Sequence, residues 1–503
     1  MKQILLCIGI LAISSTNVSI GADKNKSSRP NVLFIAIDDL NDWVGCLAGH
    51  PQAQTPNIDR LAKRGMLFTN AHCASPACNP SRAALFSGKM PWKTGVWSNK
   101  SKKLFRRHPK IKVLPRAFSD AGYVTLGTGK MMHSGAAANR VMFDQHFDVH
   151  QRWSPFTRKS VEYTDAELPS KGSNNPSHLV SLKGAKKVRL PLNRMPSDRN
   201  PKSNGGESFD WGPLDIPDSA MGDTQITDWA IQKLKSNFDK PFFLGVGYYR
   251  PHIPLWAPQK YFDRFADTPA ELPFTKADDL TDLSNTARKW AIEPVTAGLH
   301  ATVIEHGQWR SAVEAYLACT TFVDHQIGRL LDALDDGSIG DNTVIVLWSD
   351  HGWHLGEKQH WGKWTGWERS TRVPLIIVPP KQVADRFARA GSKCDQPVSL
   401  IDLYPTLGEL CDVPVPSKLD GKSLVPMLRD PKTSSQGVLT VFRKGNYSYR
   451  TQNWRYIRYT DGAEELYDHR IDPHELTNVA ADPKNTALLK DLRQKAEKSQ
   501  VSR

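Results

Sequence analysis

The chain has 503 residues, enough to bury a large core and to hold one large domain with a smaller companion. Its 7 cysteines, 34 prolines and 34 glycines exclude a disulfide-dense scaffold and a low-complexity chain, and describe a globular protein with long loops. A formal net charge of +14 favours an anionic partner. Nucleic acid is disfavoured, because basic and acidic residues are interspersed and no finger, recognition-helix or RNA-sheet motif is present.

The first 22 residues read as an export signal, with Lys2 as a basic start, apolar residues from Ile4 to Ile13, and Gly21 and Ala22 as small residues at a cleavage site. The apolar run of about ten residues falls short of the roughly 20 needed to span a bilayer, so no integral membrane association is expected. The mature chain is expected to start near Asp23 and to work outside the cytoplasm, periplasmic or secreted. Asn31–Ile37 is a short continuous apolar run, the pattern of a buried strand, and it stops at Asp38 and Asp39. Residues 55–64 read as a helix with Pro56 at its first position. Cys78-Asn79-Pro80-Ser81-Arg82 opens a second helix that runs to a glycine stop at Gly88. A strand at 123–126 leads to Gly129, Lys130 and His133, and one at 242–246 leads to His252 between two prolines. Between them, 152–212 lacks periodicity and reads as an ordered rim or a partly mobile segment. A helix at 314–334 precedes a buried-type strand at 343–348, which ends in Asp350 and His351. A strand at 373–378 and a helix at 401–410 complete an α/β layer pattern over 23–430. Beyond it, 431–503 reads as a small α+β subdomain with short strands in 438–450, 454–459 and 465–468 and a closing helix at 486–499.

Asp38, Asp39 and Asp350 lie at the ends of two buried-type strands. If the strands are neighbours, three like charges share a small volume and call for a cation, and all-oxygen ligation suits Ca²⁺ or Mg²⁺. Taken singly, each aspartate reads equally well as a strand or helix cap. Cys78 at a helix N-terminus is either a reactive thiol or a buried inert one. Among the other cysteines, Cys394 and Cys411 are close enough in sequence for a small loop disulfide. The densest basic runs, Lys100 to Lys112 and Lys183 to Lys202, read either as solvated loops or as contacts for an anionic polymer.

The string from Cys78 to Gly88 resembles the signature of type I sulfatases. Asp38-Asp39, Gly129-Lys130 with His133, Pro251-His252-Ile253-Pro254, Asp350-His351-Gly352 and Lys363 follow in the family's order. His351, His252 between its prolines, and Gly352-Trp353-His354-Leu355-Gly356-Glu357 through Lys363 look most like the iduronate-2-sulfatase branch. The resemblance implies an alkaline-phosphatase-like three-layer sandwich with a large central mixed sheet, plus a small C-terminal α+β subdomain. It implies that Cys78 is converted to formylglycine by a formylglycine-generating enzyme, and that Asp38, Asp39, Asp350 and His351 hold one Ca²⁺, Mg²⁺ being the less expected ion, with residue 78 completing the site. It further implies roles for Lys130 and Lys363 in neutralising the sulfuryl oxygens, for His252 in protonating the leaving oxygen, with Lys363 able to share the task, for His133 as the base that regenerates the aldehyde, and for Arg82 in orienting the nucleophile.

Aromatic residues crowd the region around Lys363. Trp361, Trp364, Trp367 and Glu368, with Trp97 from the loop after the nucleophile, read as substrate-binding residues for a sulfated glycan, since indoles stack on sugar faces. Each of these tryptophans reads as well as core filling. Two other readings stay open: a phosphonate monoester or phosphodiester hydrolase built on the same core, and a catalytically silent protein that binds sulfated glycans. The C-terminal strands resemble the terminal antiparallel sheet of sulfatases. Four strands and a packed helix are expected there, with Arg450, Arg455 and Arg458 toward solvent or the rim.

Overall fold

The computed structural model describes residues 29–133, 136–149, 161–163, 179–182, 188–189, 192–199, 209–294 and 298–501. The export signal expected at 1–22 and half of the basic run from Lys183 to Lys202 (183–187, 190–191 and 200–202) lie outside the described residues. Within 152–212, Val161–Tyr163, Leu179–Leu182 and Val188–Arg189 form a small three-stranded sheet.

The central sheet has eight strands: β1 (Asn31–Ile37), β2 (Met66–Phe68), β3 (Val124–Gly129), β4 (Gln145–Phe147), β5 (Phe242–Tyr248), β6 (Thr343–Ser349), β7 (Leu375–Val378) and β8 (Lys393–Cys394). Their spatial order is β8-β2-β7-β6-β1-β5-β3-β4. The run from β6 through β1, β5 and β3 to β4 is parallel, whereas β7 pairs antiparallel with both β6 and β2. The sheet is therefore mixed.

Alternation along β1 shows why three layers form. Val32, Phe34 and Ala36 point to one side, where they pack with Ala83, Leu85 and Phe86 of α2 (Cys78–Ser87) and with Leu403 and Leu407. Leu33, Ile35 and Ile37 point to the other side, against Ile58 and Leu61 of α1 (Pro56–Arg64), Ile226 of Gly222–Leu234, and Val323, Ile327 and Leu330 of the long helix Trp309–Asp335. Each of the Val, Leu, Ile and Phe side chains contributes roughly 1.5–3 kcal/mol on burial, which makes a strand buried on both faces the anchor of the domain.

The C-terminal part is a four-stranded antiparallel sheet, β9 (Val438–Val441), β10 (Tyr447–Arg450), β11 (Trp454–Arg458) and β12 (Glu464–Asp468), in sequence order. Leu439, Tyr449, Tyr456 and Leu466 pack under Leu492 and Ala496 of the helix Thr486–Val501. The opposite face, with Ile457 and Tyr467, packs on Trp364 and Trp367 of the main domain.

Two expectations are corrected here. Arg455 and Arg450 are buried, not at the rim: strand alternation places Arg455 on the same inward face as Ile457. There Arg455 pairs with Glu368 and Glu475, and Arg450 with Glu368 at 3.2 Å. Only Arg458 lies toward the edge, paired with Glu464 at 2.9 Å. Cys394 and Cys411 are both buried free thiols, so no loop disulfide forms.

Candidate active site

The site is assembled by the ends of four neighbouring strands and the start of one helix. Ile37 of β1 lies beside Ser349 of β6, so the residues that follow emerge side by side. The Asp39 N–H donates to Asp350 Oδ1 at 3.2 Å, and the Leu40 N–H to Ser349 Oγ at 3.0 Å. Asp39 itself adopts a left-handed backbone (φ 62°), an unusual conformation for a residue with a side chain and one that turns the chain sharply. On the next strands, β5 leads to His252 and β3 leads to Lys130, whose N–H donates to Gly247 O at 2.8 Å. Gly129 is required at that crossing: its φ is +67°, and a Cβ would lie 2.0 Å from the Gly247 carbonyl oxygen.

Cys78 is the first residue of α2, following Ala77 as the cap. Its thiol lies 3.1 Å from Lys363 Nζ and 3.3 Å from His351 Nε2, with His133 and His252 also in hydrogen-bond contact. One turn along, Arg82 donates from Nε to Asp350 Oδ2 at 2.7 Å, reaches Asp38 Oδ1 at 3.4 Å, and closes onto the Lys130 and Met131 carbonyls. Lys130 pairs with Asp38, and Lys363 with Asp39 at 2.7 Å. His252 Nε2 stands 3.7 Å from Asp39 Oδ2 and 4.0 Å from Asp38 Oδ2. The nine residues Asp38, Asp39, Cys78, Arg82, Lys130, His133, His252, Asp350 and His351 thus converge with Lys363 in one buried cluster.

Its electrostatics follow from crowding. Burial pushes the Asp38 carboxyl up; Lys130 opposes this, while Asp350, Cys78 and Asp39 add to it. Burial also opposes ionisation of Asp350, but Arg82 and His351 outweigh it and hold that carboxyl below the usual range. The Cys78 thiol is buried, yet Lys130, Lys363 and His351 hold it well below its ordinary value. Burial lowers His252 to about 4 and also lowers His133, so both imidazoles are neutral near pH 7. Asp39 and Cys78 more than offset burial at Lys363 and keep its proton in place.

The donors fit a hard cation. Ligand atoms of Asp38, Cys78, Asp350 and His351 lie within 4.8 Å of one another, as do those of Asp38, Asp39, Cys78 and His252. Asp39 Oδ2 is buried with no hydrogen-bond partner, an oxygen left for something other than a protein donor. His351 donates from Nδ1 to the Gly352 carbonyl at 3.0 Å, which fixes the tautomer and turns Nε2 toward the carboxylates as a ligand atom.

The expected substrate residues are placed differently. Trp361 is buried against Trp211, stacked at 6.0 Å, with Nε1 donating to His300 Nδ1. Trp364 and Trp367 are buried against the C-terminal sheet, and Trp367 Nε1 donates to Glu465 at 2.7 Å. Glu368 is taken up by Arg450 and Arg455. Trp97 is half-buried beside Met90 and Tyr447. None of these five belongs to the cluster around Cys78. A residue absent from the sequence reading, Tyr316, helps build the site: from the middle of the long helix its hydroxyl donates to Asp39 O at 2.8 Å and accepts from the Asn41 N–H at 2.9 Å. A tyrosine in a helical repeat of apolar residues gives no sign of such a role.

A family model described as Sulfatase matches residues 30–413, and one described as N-sulphoglucosamine sulphohydrolase, C-terminal, matches residues 356–502. A sulfatase of Formosa agariphila is 35% identical over 481 residues, covering 94% of this chain and 88% of the relative. Human iduronate 2-sulfatase is 30% identical over 452 residues, covering 82% of this chain and 75% of its own length. The solved structure of a 2-O GAG sulfatase has a TM-score of 0.66 at 23% identity, covering 95% of this chain and 94% of that one, a likeness of fold. The chain therefore belongs to the sulfatase family, as a sulfuric ester hydrolase on the alkaline-phosphatase-like fold.

Proposed function

We propose that this enzyme removes sulfate from an extracellular sulfated glycan, after export, with Cys78 converted to formylglycine and one Ca²⁺ held by Asp38, Asp39, Asp350 and His351. The observation that carries this reading is the convergence of three buried aspartates with Lys130, Lys363 and Arg82 on the first residue of α2. The glycan is suggested by relatives described as an iduronate 2-sulfatase and a 2-O GAG sulfatase, and by the chain's positive charge. When bound, the cation supplies charge neutralisation and lowers the pKa of an oxygen attached to it, and the hydrated aldehyde supplies a hydroxyl nucleophile at position 78.

The chain's own side chains do the rest. Lys130 and Lys363 bring two positive charges to the carboxylate cluster, where a sulfuryl group's oxygens need neutralising. Arg82 locks Asp350 and Asp38 in place from the helix that carries the nucleophile, so ligands and nucleophile keep one mutual geometry. His133, neutral and in contact with residue 78, is suited to accept a proton there. His252 donates from Nδ1 to Ile253 O at 2.6 Å, leaving Nε2 to face the cluster. To deliver a proton to the departing oxygen it must first gain one at Nε2, which the negative charge of a bound ester favours; Lys363 holds its proton and shares the task.

The test uses protein produced with a formylglycine-generating enzyme. Mass spectrometry of the peptide containing Cys78 should show loss of the thiol sulfur, and the matured protein should release sulfate from aryl and carbohydrate sulfates. Aldehyde-bearing protein that hydrolyses no sulfate ester would sink the reading. A clear kcat/KM preference for aryl phosphonate over aryl sulfate would replace it with the phosphonate hydrolase, and sulfated-glycan binding without turnover would replace it with a silent binder.

A further inference from the structure

His252 stands on a turn with few backbone donors of its own. Between Arg250 and Trp256 the chain carries Pro251 and Pro254, neither of which brings an N–H to a hydrogen bond. The His252 N–H donates to Tyr249 O at 2.9 Å and the Trp256 N–H to Pro254 O at 3.0 Å, contacts that stay close along the chain. The far end is anchored: the Leu255 N–H donates to Asp210 O at 2.8 Å, and Leu255–Pro258 pairs in parallel with Trp211–Leu214.

Arg250 closes the turn. Its side chain is buried, and its guanidinium donates from Nε to Trp256 O at 2.8 Å and from Nη1 to His252 O at 3.3 Å. One rigid planar group thereby sets the spacing between the His252 carbonyl and the carbonyl of a residue fixed in a strand. The near end is held from the first turn of the helix Gly222–Leu234. There the buried Asp223 accepts the Tyr249 N–H at Oδ1 and the Arg250 N–H at Oδ2, both at 2.9 Å. The imidazole is fixed in turn by Nδ1, which donates to Ile253 O at 2.6 Å, and Nε2 faces the carboxylates, 3.7 Å from Asp39 Oδ2.

We propose that Arg250 is a positioning residue for proton delivery: by bridging the His252 and Trp256 carbonyls it aims His252 Nε2 at the oxygen that leaves the sulfur. The inference rests on the sulfatase reading above, in which His252 protonates the departing oxygen, and gives that step a residue that acts through His252 and not on the ester. Proton transfer needs its heavy atoms within about 2.6–3.2 Å of each other. A loosened turn therefore weakens it, while the nucleophile and the aspartates keep their places on α2, β1 and β6.

Two esters that differ in their need for a proton test this. 4-Nitrophenyl sulfate releases a weakly basic phenolate, whereas phenyl sulfate releases a far more basic one that departs well only when protonated. In matured enzyme, Arg250→Met should raise the kcat/KM ratio of 4-nitrophenyl over phenyl sulfate about 10²-fold, and so should His252→Ala. The double variant should show no further rise, because both substitutions act on one proton transfer. Arg250→Lys, which keeps the charge but loses the planar fork, should raise the ratio about tenfold, and it carries the same cycle with His252→Ala where Arg250→Met does not fold. A wild-type ratio in the Arg250 variant, or a further rise when it is added to His252→Ala, overturns the positioning role and leaves the sulfatase reading standing. A ratio unchanged by His252→Ala also overturns it, and removes His252 as the proton donor. Turnover of neither ester by aldehyde-bearing wild type overturns the positioning role and the sulfatase reading together.

Discussion

Two buried clusters of charge, one around Asp39 and one around Arg455, both set carboxylates against cationic side chains and behave differently. In the first, three aspartates crowd together, Asp39 Oδ2 is left without a hydrogen bond, and burial with like charges pushes the Asp38 carboxyl up. In the second, Glu368 and Glu475 meet Arg450, Arg455 and His469, and no carboxylate oxygen of either glutamate is left buried and unpartnered. Ligand atoms of Glu368, His469 and Glu475 also come within metal-binding distance of one another, but two guanidinium groups already supply the positive charge there. The contrast lies in single atoms: the first cluster keeps one buried carboxylate oxygen, Asp39 Oδ2, without a donor and so open to a ligand, while the second has its carboxylate oxygens taken up and holds the fold together.

The largest effect should come from the proposed nucleophile. Cys78→Ala should lower kcat by at least about 10⁴-fold, with the thermal midpoint near that of wild type; substantial turnover by this variant would remove Cys78 from the chemistry and blur the contrast at its sharpest point. Next comes the structural cluster. Arg455→Ala should cost about 3–5 kcal/mol in urea unfolding by stranding Glu368 and Glu475, while aryl sulfate turnover per folded molecule stays within twofold, on the order of 0.4 kcal/mol. Loss of turnover without loss of stability would show that the second cluster also serves catalysis.

Chelation should separate the two clusters again. Stripping the enzyme with EGTA should abolish turnover and lower the thermal midpoint, with Ca²⁺ restoring both; saturation at about 100 times Kd corresponds to about 2.7 kcal/mol. Arg455→Ala should show the same Ca²⁺ response. The smallest effect is acid lability. Burial opposes ionisation of Glu368, but Arg450 and Arg455 hold it well below 4.5; burial likewise opposes Glu475, which Arg455 and His469 hold below 4.5. Carboxyls depressed in the folded state contribute stability that is present above their unfolded value and lost as pH falls through the folded one. The urea midpoint should therefore drop between about pH 6 and about pH 3.5, with a shallower drop in Arg455→Ala. Glu465, which burial raises, works against this trend, so the comparison of variants isolates the pair. Equal slopes would mean the ion pairs carry no net stability.

The cluster around Cys78 was legible because it lies at strand ends. Apolar runs that stop at Asp38-Asp39 and at Asp350-His351 announce buried strands with polar tips, and the Pro80 and Gly88 punctuation announces the helix of Cys78. The Arg455 cluster was not, because its parts come from the start of a short helix, two strands and the segment after the last strand, whose meeting no local pattern encodes. Strand alternation shows that Arg455 and Ile457 share a face but leaves open whether that face is inside, and this depends on Glu368 and Glu475 arriving from elsewhere. The same blindness affects Trp364, Trp367 and Glu368: tryptophans beside Lys363 suggest a sugar platform, while here they fill the seam between sheet and main domain and Glu368 pairs with Arg450 and Arg455. Tyr316 is hidden for the opposite reason, a polar atom carried by a residue that otherwise looks like core.

The seam has a consequence for the order in which a working enzyme is completed during synthesis. Lys363 precedes Trp364 directly, Trp367 donates to Glu465, and Arg455 donates to the Gly366 carbonyl at 2.9 Å, so the segment after the lysine is gripped by the last strands of the chain. A ribosome delivers Asp38, Cys78, Lys130, His252 and Asp350 long before it delivers β11 and β12. The nucleophile and its acidic neighbours are all in hand while the segment bearing Lys363 still lacks its clamp. Chains cut short near the end would keep the contacts of Lys363 with Asp39 and Cys78 but lose the grip of the C-terminal sheet on the segment that follows it.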